Sequence, residues 1–139
     1  MVYGRNLVLL SLAGALALQK AQSSKHPEVE IHIGFDYSYE GPSQPADKSP
    51  TFVGSVELTL SHSLDDPWAS PVTLVTPLQD KHKDEIIQMG LDLKVPYEHT
   101  WTCYNQGPAS CGVCSACVSR LGGFDYLGVW DPLKYAGGL

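Results

Sequence analysis

All four cysteines of this 139-residue chain fall within a short stretch near its carboxyl end. They are Cys103, Cys111, Cys114 and Cys117, spaced C-x7-C-x2-C-x2-C. Four thiolates so close in sequence can complete a tetrahedral shell around one zinc ion, with Zn–S distances of about 2.3 Å. Because such a shell leaves no position open for water or substrate, the spacing predicts a structural zinc site.

Other uses of these cysteines remain open. Two disulfides are one alternative, although x2 spacings would close short, strained loops that constrain little of the unfolded chain. An iron–sulfur cluster is another, since x2 intervals also begin the bacterial ferredoxin run. In that run a fourth cysteine follows the first three and precedes a proline. Here the remaining cysteine, Cys103, lies upstream instead, and Val118 follows Cys117. His99 is a further candidate ligand, and its other interpretation is a surface histidine.

Length and charge limit the class of protein. A chain of this length suits one domain and can bury roughly two thirds of its unfolded surface. Nine basic and fifteen acidic residues give a net charge of −6, which argues against nucleic acid as a partner because phosphate binding needs clustered Lys and Arg. Clustered thiols without a disulfide framework indicate a reducing compartment, so we expect a cytoplasmic protein.

The first twenty residues allow two interpretations. Arg5, the apolar run from Leu7 to Leu18 and the small residues near Ala21 imitate a secretory signal peptide. The run is too short to cross a bilayer, so no membrane span is expected. The other interpretation is a buried amphipathic helix over residues 6–19. Its predicted apolar face consists of Leu7, Leu10, Gly14 and Leu18, broadened by Leu9, Leu12 and Leu16.

The order of the remaining predicted elements indicates an α/β fold. Strands are expected over residues 29–35 and 72–76, with loop residues 36–50 following the first strand. Helices are expected from a cap at Ser49 or Thr51 to about Ser61, over residues 83–89 with Asp80 as cap and Gly90 as the C′ residue, and over residues 115–121. Asp131-Pro132 predicts the start of a last short helix. Alternating strands and helices predict parallel strands with helical crossovers.

The residues around the cysteines carry a resemblance to a known family. The segments in question are Thr100–Asn105, Cys111–Arg120, Phe124, Gly128–Pro132 and Tyr135. Together they resemble the C-terminal zinc segment of 7-cyano-7-deazaguanine synthases, which make the nitrile base precursor of queuosine and archaeosine. Weaker similarity extends upstream through Gly90–Leu93 with Val95-Pro96, through Pro77–Ile87, and through Gly4–Asn6 with Leu7–Ala13.

The resemblance begins part-way into the family's pattern. The family starts with a strand and a Ser-Gly-Gly-x-Asp-Ser loop for the ATP pyrophosphate, and this sequence contains neither that loop nor another phosphate-binding glycine motif. The resemblance therefore implies an incomplete Rossmann-like, adenine nucleotide alpha-hydrolase-like core over residues 1–98. A C-terminal zinc-knuckle segment of the same domain would occupy residues 99–139. A truncated reading frame, a split gene and a divergent paralogue all remain open.

The family motifs also suggest ligand-binding residues. Arg5 and Asn6 match a motif that would contact nucleotide phosphate or the adenylated intermediate; the alternative is a helix cap with a solvated arginine. Asp36 occupies a strand end where the family has an Asp-Tyr pair. Lys83 matches a family lysine that can neutralise phosphate, and its alternative is a solvated lysine in the first turn of a helix.

Three further features qualify this picture. The family commonly carries Tyr-x-Asp-Cys-Arg after the Asp-Tyr pair, whereas residues 39–49 here contain neither cysteine nor arginine, which suggests a different substrate or an inactive relative. Arg120 would offset the charge of a four-thiolate zinc or help to bind substrate. Trp101 and Tyr104 are expected to pack in the core rather than to stack on a base.

The resemblance implies an ATP-dependent ligase. The family reaction converts 7-carboxy-7-deazaguanine and ammonia into 7-cyano-7-deazaguanine through an adenylated carboxylate and then an amide. Zinc would be structural, and magnesium would bridge the phosphates of ATP. The expected partners are the small-molecule substrate and either a second copy of the chain or a partner chain supplying the missing N-terminal half. The alternative is a non-catalytic zinc module that packs against such a partner.

Overall fold

A computed structural model describes residues 4–23, 28–36, 46–63 and 72–137. The chain forms two compact units, Met1–Asp80 and Lys81–Leu139. The assignment of residues 1–98 to a nucleotide-binding-like core and 99–139 to a zinc segment stays a prediction. Part of the predicted loop after the first strand, residues 37–45, lies outside the described residues.

The first unit contains a small parallel sheet and two helices. Helix α1 spans Arg5–Ser23, strand β1 spans Val29–His32, helix α2 spans Pro50–Ser61 and strand β2 spans Val72–Val75. A short 3₁₀ helix, Ala46–Lys48, precedes α2. The strands pair in parallel, with Val29 opposite Val72 and His32 opposite Val75. The predicted α/β class with a parallel sheet and flanking helices is confirmed.

One face of the sheet forms the core of this unit. Val72 and Leu74 of β2 are buried, with Val29 and Ile31 of β1 packed beside them. Phe35, just past β1, is also buried in this core, and the helices contribute Leu10, Ala17, Val53, Val56 and Leu60. Helices α1 and α2 approach closely where Gly14 meets Leu60, since a Cβ on Gly14 would overlap that leucine side chain. The helices therefore cover the sheet as one layer.

Helix α1 is a core helix, but its buried face is narrower than predicted. Leu10 and Gly14 are buried and Leu18 is half-buried, as the spacing indicates. Leu7 is nearly half exposed, and Leu9, Leu12 and Leu16 are exposed, so these leucines do not broaden the buried face. No helix among the described residues is long and apolar enough to cross a membrane.

Helix α2 begins at the cap that the sequence predicts. The Ser49 hydroxyl accepts a hydrogen bond of 3.1 Å from the Phe52 backbone N–H, and Pro50 is the first helical residue. Proline fits there because its missing N–H would have no partner inside the helix. Ser49 rather than Thr51 is therefore the N-cap.

The second unit is mostly irregular chain around two helices. Helix α3 spans Lys83–Asp92 and helix α4 spans Ser115–Tyr126, with a short 3₁₀ helix at Tyr97–His99 between them. Helix α4 is a turn longer than predicted. It ends at Tyr126, and Gly128, with a φ of 64°, takes the left-handed position that follows many helices.

Helix α3 begins at Lys83 as predicted, but its N-cap and its C-terminal end differ from the prediction. The N-cap is His82 rather than Asp80, and its backbone N–H donates to the Glu85 carboxylate at 2.7 Å. Gly90 lies inside the helix rather than at C′, at a position where a Cβ would overlap the Tyr97 side chain. Lys94 takes the left-handed C′ position, with a φ of 56°.

The predicted helix at Asp131-Pro132 is absent from the described residues 131–137. The Asp131 side chain does accept a hydrogen bond from the Leu133 backbone N–H at 3.1 Å, as a cap would. The chain then leaves the turn and forms a bridge between Tyr135 and Ser110 instead of continuing into a helix.

The N-cap of α2 provides a first test. Ser49→Ala removes the only side-chain acceptor for the Phe52 N–H and should lower the free energy of unfolding by about 1 kcal/mol. Urea unfolding followed by circular dichroism measures the change. Ser55→Ala is the matched control, because the exposed Ser55 hydroxyl bonds only the Thr51 carbonyl within the helix. Equal losses in both variants would contradict a specific capping role for Ser49.

Candidate metal centre

The four cysteines converge on one point. Their sulfur atoms all lie within 4.8 Å of one another, and those of Cys111 and Cys117 are 4.0 Å apart. A regular ZnS₄ tetrahedron with bonds of about 2.3 Å has edges of roughly 3.8 Å, so the cluster is close to the size of a single-ion site. Cysteines around an iron–sulfur cluster ligate different iron atoms and need wider separation.

The fold brings these sulfurs together from two directions. Cys103 lies in an extended segment after the Tyr97–His99 turn. Cys111 follows Ser110, which is fixed by its bridge to Tyr135. Gly112 then makes the tight turn of the knuckle with a φ of 75°, as its position in the C-x2-C spacing predicts. Cys114 is the N-cap of α4, and Cys117 lies in the helix's first turn.

Backbone amides point at the sulfur atoms. The N–H groups of Asn105 and Cys111 donate to the Cys103 sulfur at 3.3 and 3.4 Å, and the Cys114 N–H donates to the Cys111 sulfur at 3.3 Å. Hydrogen bonds from N–H groups favour the thiolate over the thiol. The loop is therefore built to hold negatively charged sulfur, the form that ligates metal.

The acidities of the thiols reflect this arrangement. The backbone amide of Val113 is the main cause that lowers the pKa of Cys111. The backbone amide of Tyr104 is the main cause that lowers the pKa of Cys114 to about 6. Burial, with the neighbouring Cys114 thiol, raises the pKa of Cys117 to about 12. Four thiolates so close together need a compensating cation, and a divalent ion supplies it.

Disulfides do not account for the cluster. All four cysteines are free thiols, and the 4.0 Å between the Cys111 and Cys117 sulfurs is about twice a disulfide bond. His99 is exposed on the 3₁₀ helix, and the group of potential metal ligands found among the described residues consists of the four cysteines alone. The donor set is thus four sulfurs, which fits zinc.

A buried arginine forms hydrogen bonds to the chain segments around the cysteines. Arg120, on α4, is 6% exposed, and each of its five N–H groups has an acceptor. Nε and Nη2 donate to the two Asp131 carboxylate oxygens at 2.6 and 2.8 Å. Nη1 donates to the hydroxyls of Thr100 and Thr102 at 2.6 and 3.3 Å, and Nη2 also donates to the Tyr97 carbonyl at 3.2 Å.

This network corrects the expectation for Arg120. With every donor occupied inside the unit, Arg120 is held as a structural residue and has no N–H left for a substrate. The Asp131 carboxylate is likewise saturated, because it also accepts from the Tyr135 hydroxyl at 2.6 Å and from the Leu133 N–H. Burial and the hydrogen bond to Asp131 raise the pKa of Tyr135, so it stays a donor. The i, i+4 spacing of Asp131 and Tyr135 was a usable signal for this contact.

The aromatic residues beside the cysteines are not in the core. Trp101 is 52% exposed and Tyr104 is 76% exposed, so the prediction of core packing is wrong for both. The Trp101 indole N–H donates to the Cys103 carbonyl at 3.0 Å, which holds the ring at the surface of the knuckle. Tyr97 and Phe124 are the aromatic pair of this unit, in edge-to-face contact at 5.2 Å.

A cleft of about 480 Å³ adjoins the metal centre. Gly112 of the knuckle and Asp131 and Tyr135 of the arginine network form part of its wall. Apolar side chains of α4 and the following turn supply most of the remaining lining, namely Val118, Leu121, Phe124, Val129 and Trp130.

The predicted nucleotide-binding residues are dispersed over both units. Arg5 is exposed at the first position of α1, and Asn6 is buried with its side-chain amide donating to the Asp47 carbonyl at 3.3 Å. Asp36 is half-buried just past β1. Asn6 and Asp36 both belong to the first unit, and their roles in binding stay predictions. Lys83 starts α3 in the second unit, and its role stays a prediction.

Comparison with known proteins gives the family. The sequence model of the family described as "Queuosine biosynthesis protein QueC" matches residues 1–128. This chain belongs to the QueC family. Its fold is of the adenine nucleotide alpha-hydrolase-like kind predicted from the motifs, and the part matched includes all four cysteines.

Curated relatives agree with that assignment. A protein of Methanothrix thermoacetophila named 7-cyano-7-deazaguanine synthase is 38% identical over 134 residues, covering 96% of this chain and 56% of the relative. One of Thermosynechococcus vestitus with the same name is 38% identical over 139 residues, covering 97% of this chain and 55% of the relative. One of Acaryochloris marina is 48% identical over 69 residues. The chain thus spans about half the length of the QueC relatives that it matches along its length.

The buried ion pair provides a second test. Asp131→Asn leaves the Arg120 guanidinium buried with reduced compensation, so the free energy of unfolding should fall by roughly 3–5 kcal/mol. Asp125→Asn, at an exposed position on the same helix as Arg120, is the matched control and should change stability by less than about 0.5 kcal/mol. Urea unfolding of both variants measures the difference. Equal stability in the two variants would contradict a structural role for the pair.

The pair also predicts acid sensitivity. Burial raises the pKa of Asp131, but hydrogen bonds from Arg120, Tyr135 and the Leu133 backbone outweigh it and hold the pKa below its usual value. The stabilisation is therefore complete above the unfolded pKa of about 4 and is lost as the pH falls through the lower folded value. Wild-type stability should decline in this range, and Asp131→Asn should show a shallower decline.

Proposed function

We propose that this chain is a portion of, or a relative of, an ATP-dependent 7-cyano-7-deazaguanine synthase. In the proposed reaction, 7-carboxy-7-deazaguanine and ammonia give the nitrile through an adenylated intermediate. The observation that carries the proposal is the four-sulfur cluster. Its cysteines lie within the residues that match the family model, and their spacing resembles that of the family's zinc segment. The relatives named 7-cyano-7-deazaguanine synthase support the same reaction class.

The proposed chemistry needs activation of a poor leaving group. Attack of the substrate carboxylate on the α-phosphorus of ATP forms an acyl–adenylate and releases pyrophosphate. Ammonia then displaces AMP to give the amide. The amide oxygen attacks the α-phosphorus of a second ATP and releases pyrophosphate, and the adenylated amide loses a proton and AMP, which carries the oxygen away, to give the nitrile. Asn6 and Asp36 are the residues of the first unit that we assign to nucleotide or substrate contact, together with the exposed Arg5.

The phosphate-binding part of the reaction is not assigned to these residues. ATP pyrophosphate requires converging backbone amides, and the 139 residues contain no Ser-Gly-Gly-x-Asp-Ser loop. We therefore propose that a partner chain or segment supplies that loop and the magnesium that accompanies ATP. Lys83 remains a candidate to neutralise phosphate. We also propose cytoplasmic residence, since free thiolates persist in a reducing compartment.

We assign the four cysteines to zinc in a structural role. Cys103, Cys111, Cys114 and Cys117 would hold the ion, and a shell of four thiolates leaves no open position for a substrate. The ion would tie the extended segment at Cys103 to the first turn of α4. Its contribution would then be to the folding of the second unit rather than to a chemical step.

A second candidate is a non-catalytic zinc module that packs against a partner. The sequence of residues 39–49, which lacks the family's Asp-Cys-Arg, favours it. Both candidates share the zinc site and differ in whether the chain contributes to adenylation.

The metal assignment predicts composition and stability. Purified protein should contain about one zinc per chain and be colourless. Cys114→Ser should lower zinc content and increase protease sensitivity of the second unit, because structural zinc contributes folding free energy directly. Elemental analysis and limited proteolysis measure both effects.

Val113→Ser is the matched control, since it adds the same hydroxyl to an exposed position in the same knuckle. It should leave zinc content unchanged. Brown protein containing iron, or a Cys114→Ser variant with wild-type protease resistance, would overturn the structural zinc assignment.

The catalytic proposal predicts complementation. The chain alone, mixed with 7-carboxy-7-deazaguanine, ammonium, ATP and magnesium, should release negligible AMP, because the amides that stabilise the transferring phosphates are missing. Adding the amino-terminal portion of a QueC relative should produce substrate-dependent AMP and pyrophosphate. Rapid AMP release by the chain alone would show that it is self-sufficient. No release after complementation would favour the non-catalytic module.

A further inference from the structure

One buried hydroxyl of the second unit has no hydrogen-bond partner. Ser110 is 1% exposed. Both of its backbone groups are bonded, since its N–H donates to the Lys134 carbonyl at 3.1 Å and its carbonyl accepts from the Ala136 N–H at 2.8 Å. Its side-chain oxygen makes no hydrogen bond, and it is the one buried side-chain oxygen or nitrogen in this condition among the described residues.

A buried hydroxyl without a partner lowers stability. Folding removes its hydrogen bonds to water and returns none from the protein. Native proteins contain few such groups, and each one calls for an explanation. Alanine would fill nearly the same space without this cost. The serine therefore points to an acceptor that differs from the neutral groups of the chain.

Ser110 lies on the side of its bridge that faces the sulfur cluster. It pairs with Tyr135 in a parallel bridge, and residues paired directly across two strands project their side chains to the same side. The Tyr135 side chain is buried in one cluster with Cys103 and Cys117. The Ser110 side chain is therefore directed toward the cluster that contains these two buried sulfurs.

The backbone beside Ser110 already serves this cluster. The peptide N–H that follows it, that of Cys111, donates to the Cys103 sulfur at 3.4 Å. The Ser110 hydroxyl is thus only one peptide group away from a sulfur atom of the centre. A serine hydroxyl can take any of three staggered positions and rotates its proton to suit an acceptor.

The sulfur atoms differ in the number of backbone donors they receive. Two backbone amides act on each of the sulfurs of Cys103, Cys111 and Cys114. Among the described residues, the Gly112 amide is the one backbone donor that acts on the Cys117 sulfur. Cys117 is also only 1% exposed, so water does not supply the missing bond. The buried sulfur with the fewest donors and the buried donor without an acceptor belong to the same part of the fold.

We propose that Ser110 is a positioning residue of the metal centre and that its hydroxyl donates to the Cys117 sulfur when this sulfur ligates the ion. A thiol is a weak acceptor, whereas a thiolate accepts strongly, so the hydrogen bond belongs to the ligating form. It would disperse the thiolate charge and hold the sulfur in its ligating orientation. The inference rests on the zinc role proposed above for the four cysteines.

Cobalt substitution tests the hydrogen bond. Cobalt(II) takes the tetrahedral sulfur sites of zinc, and the energy of its sulfur-to-metal charge-transfer absorption depends on the electron density at the sulfurs. Ser110→Ala removes the donor and leaves the sulfur more electron-rich. The charge-transfer band should therefore move to lower energy, while the d–d bands of the tetrahedral ion keep their positions.

Zinc release gives a second measurement on the same variants. The zinc-loaded full chain is mixed with an excess of a chromophoric chelator, and the rate of transfer is followed. Loss of a hydrogen bond to a ligating sulfur should accelerate release by about tenfold in Ser110→Ala.

Two further variants serve as controls. Ser110→Thr keeps the hydroxyl, so it should retain the wild-type charge-transfer energy. Ser115→Ala removes an exposed hydroxyl from the same knuckle, beside Cys114, and should change neither measurement.

The outcomes separate this inference from the proposed zinc role. A lower-energy band with faster release in Ser110→Ala alone supports the hydrogen bond. Faster release without a band shift overturns it, since Ser110 would then act through packing only. Equal band shifts in the alanine and threonine variants also overturn it, because the hydroxyl is then not the cause.

The wild-type chain decides the remaining case. If it binds zinc tightly and Ser110→Ala behaves identically, the inference fails and the zinc role stands. If the wild-type chain binds neither metal, both fail. No measurement requires ATP or substrate, so the outcome does not depend on adenylation.

Discussion

The ion pair between Arg120 and Asp131 is the interaction on which the second unit depends. Arg120 lies three residues beyond Cys117 on α4 and bonds the Thr100 and Thr102 hydroxyls that precede Cys103. Asp131 in turn accepts from Tyr135, whose bridge to Ser110 fixes the chain before Cys111. The same guanidinium thus sets the position of both chain segments that deliver sulfur atoms. Burying these charges is costly, and the saturation of all five N–H groups offsets that cost.

The charge of the metal centre suits this arrangement. Four thiolates around a divalent ion carry a net charge of about −2, and amide N–H groups disperse it over the knuckle. Because its charge is paired with Asp131, Arg120 is not a free counter-ion for that site. The fold therefore stabilises the sulfur cluster mainly with backbone dipoles, which cannot move away or exchange with solvent.

Local chemistry explains which features the sequence predicts. The cysteine cluster, the turn at Gly112, the Ser49 cap and the parallel pairing follow from residue type and spacing over a few positions. The errors arise where a distant group decides. Gly90 is typical of a helix end, but it lies inside α3, where only a glycine leaves space for the Tyr97 side chain. Asp131-Pro132 has the form of a helix start, but Arg120 and Tyr135 engage the carboxylate.

In the first unit, too, contacts between residues distant in sequence decide what periodicity alone cannot predict. Periodicity alone assigned Leu9, Leu12 and Leu16 to the buried face of α1, since a helix that is apolar all round gives no direction. The contacts with Leu60 and the sheet fix the direction through Gly14, the small residue that permits close approach. The leucines are then left exposed on the far side of α1.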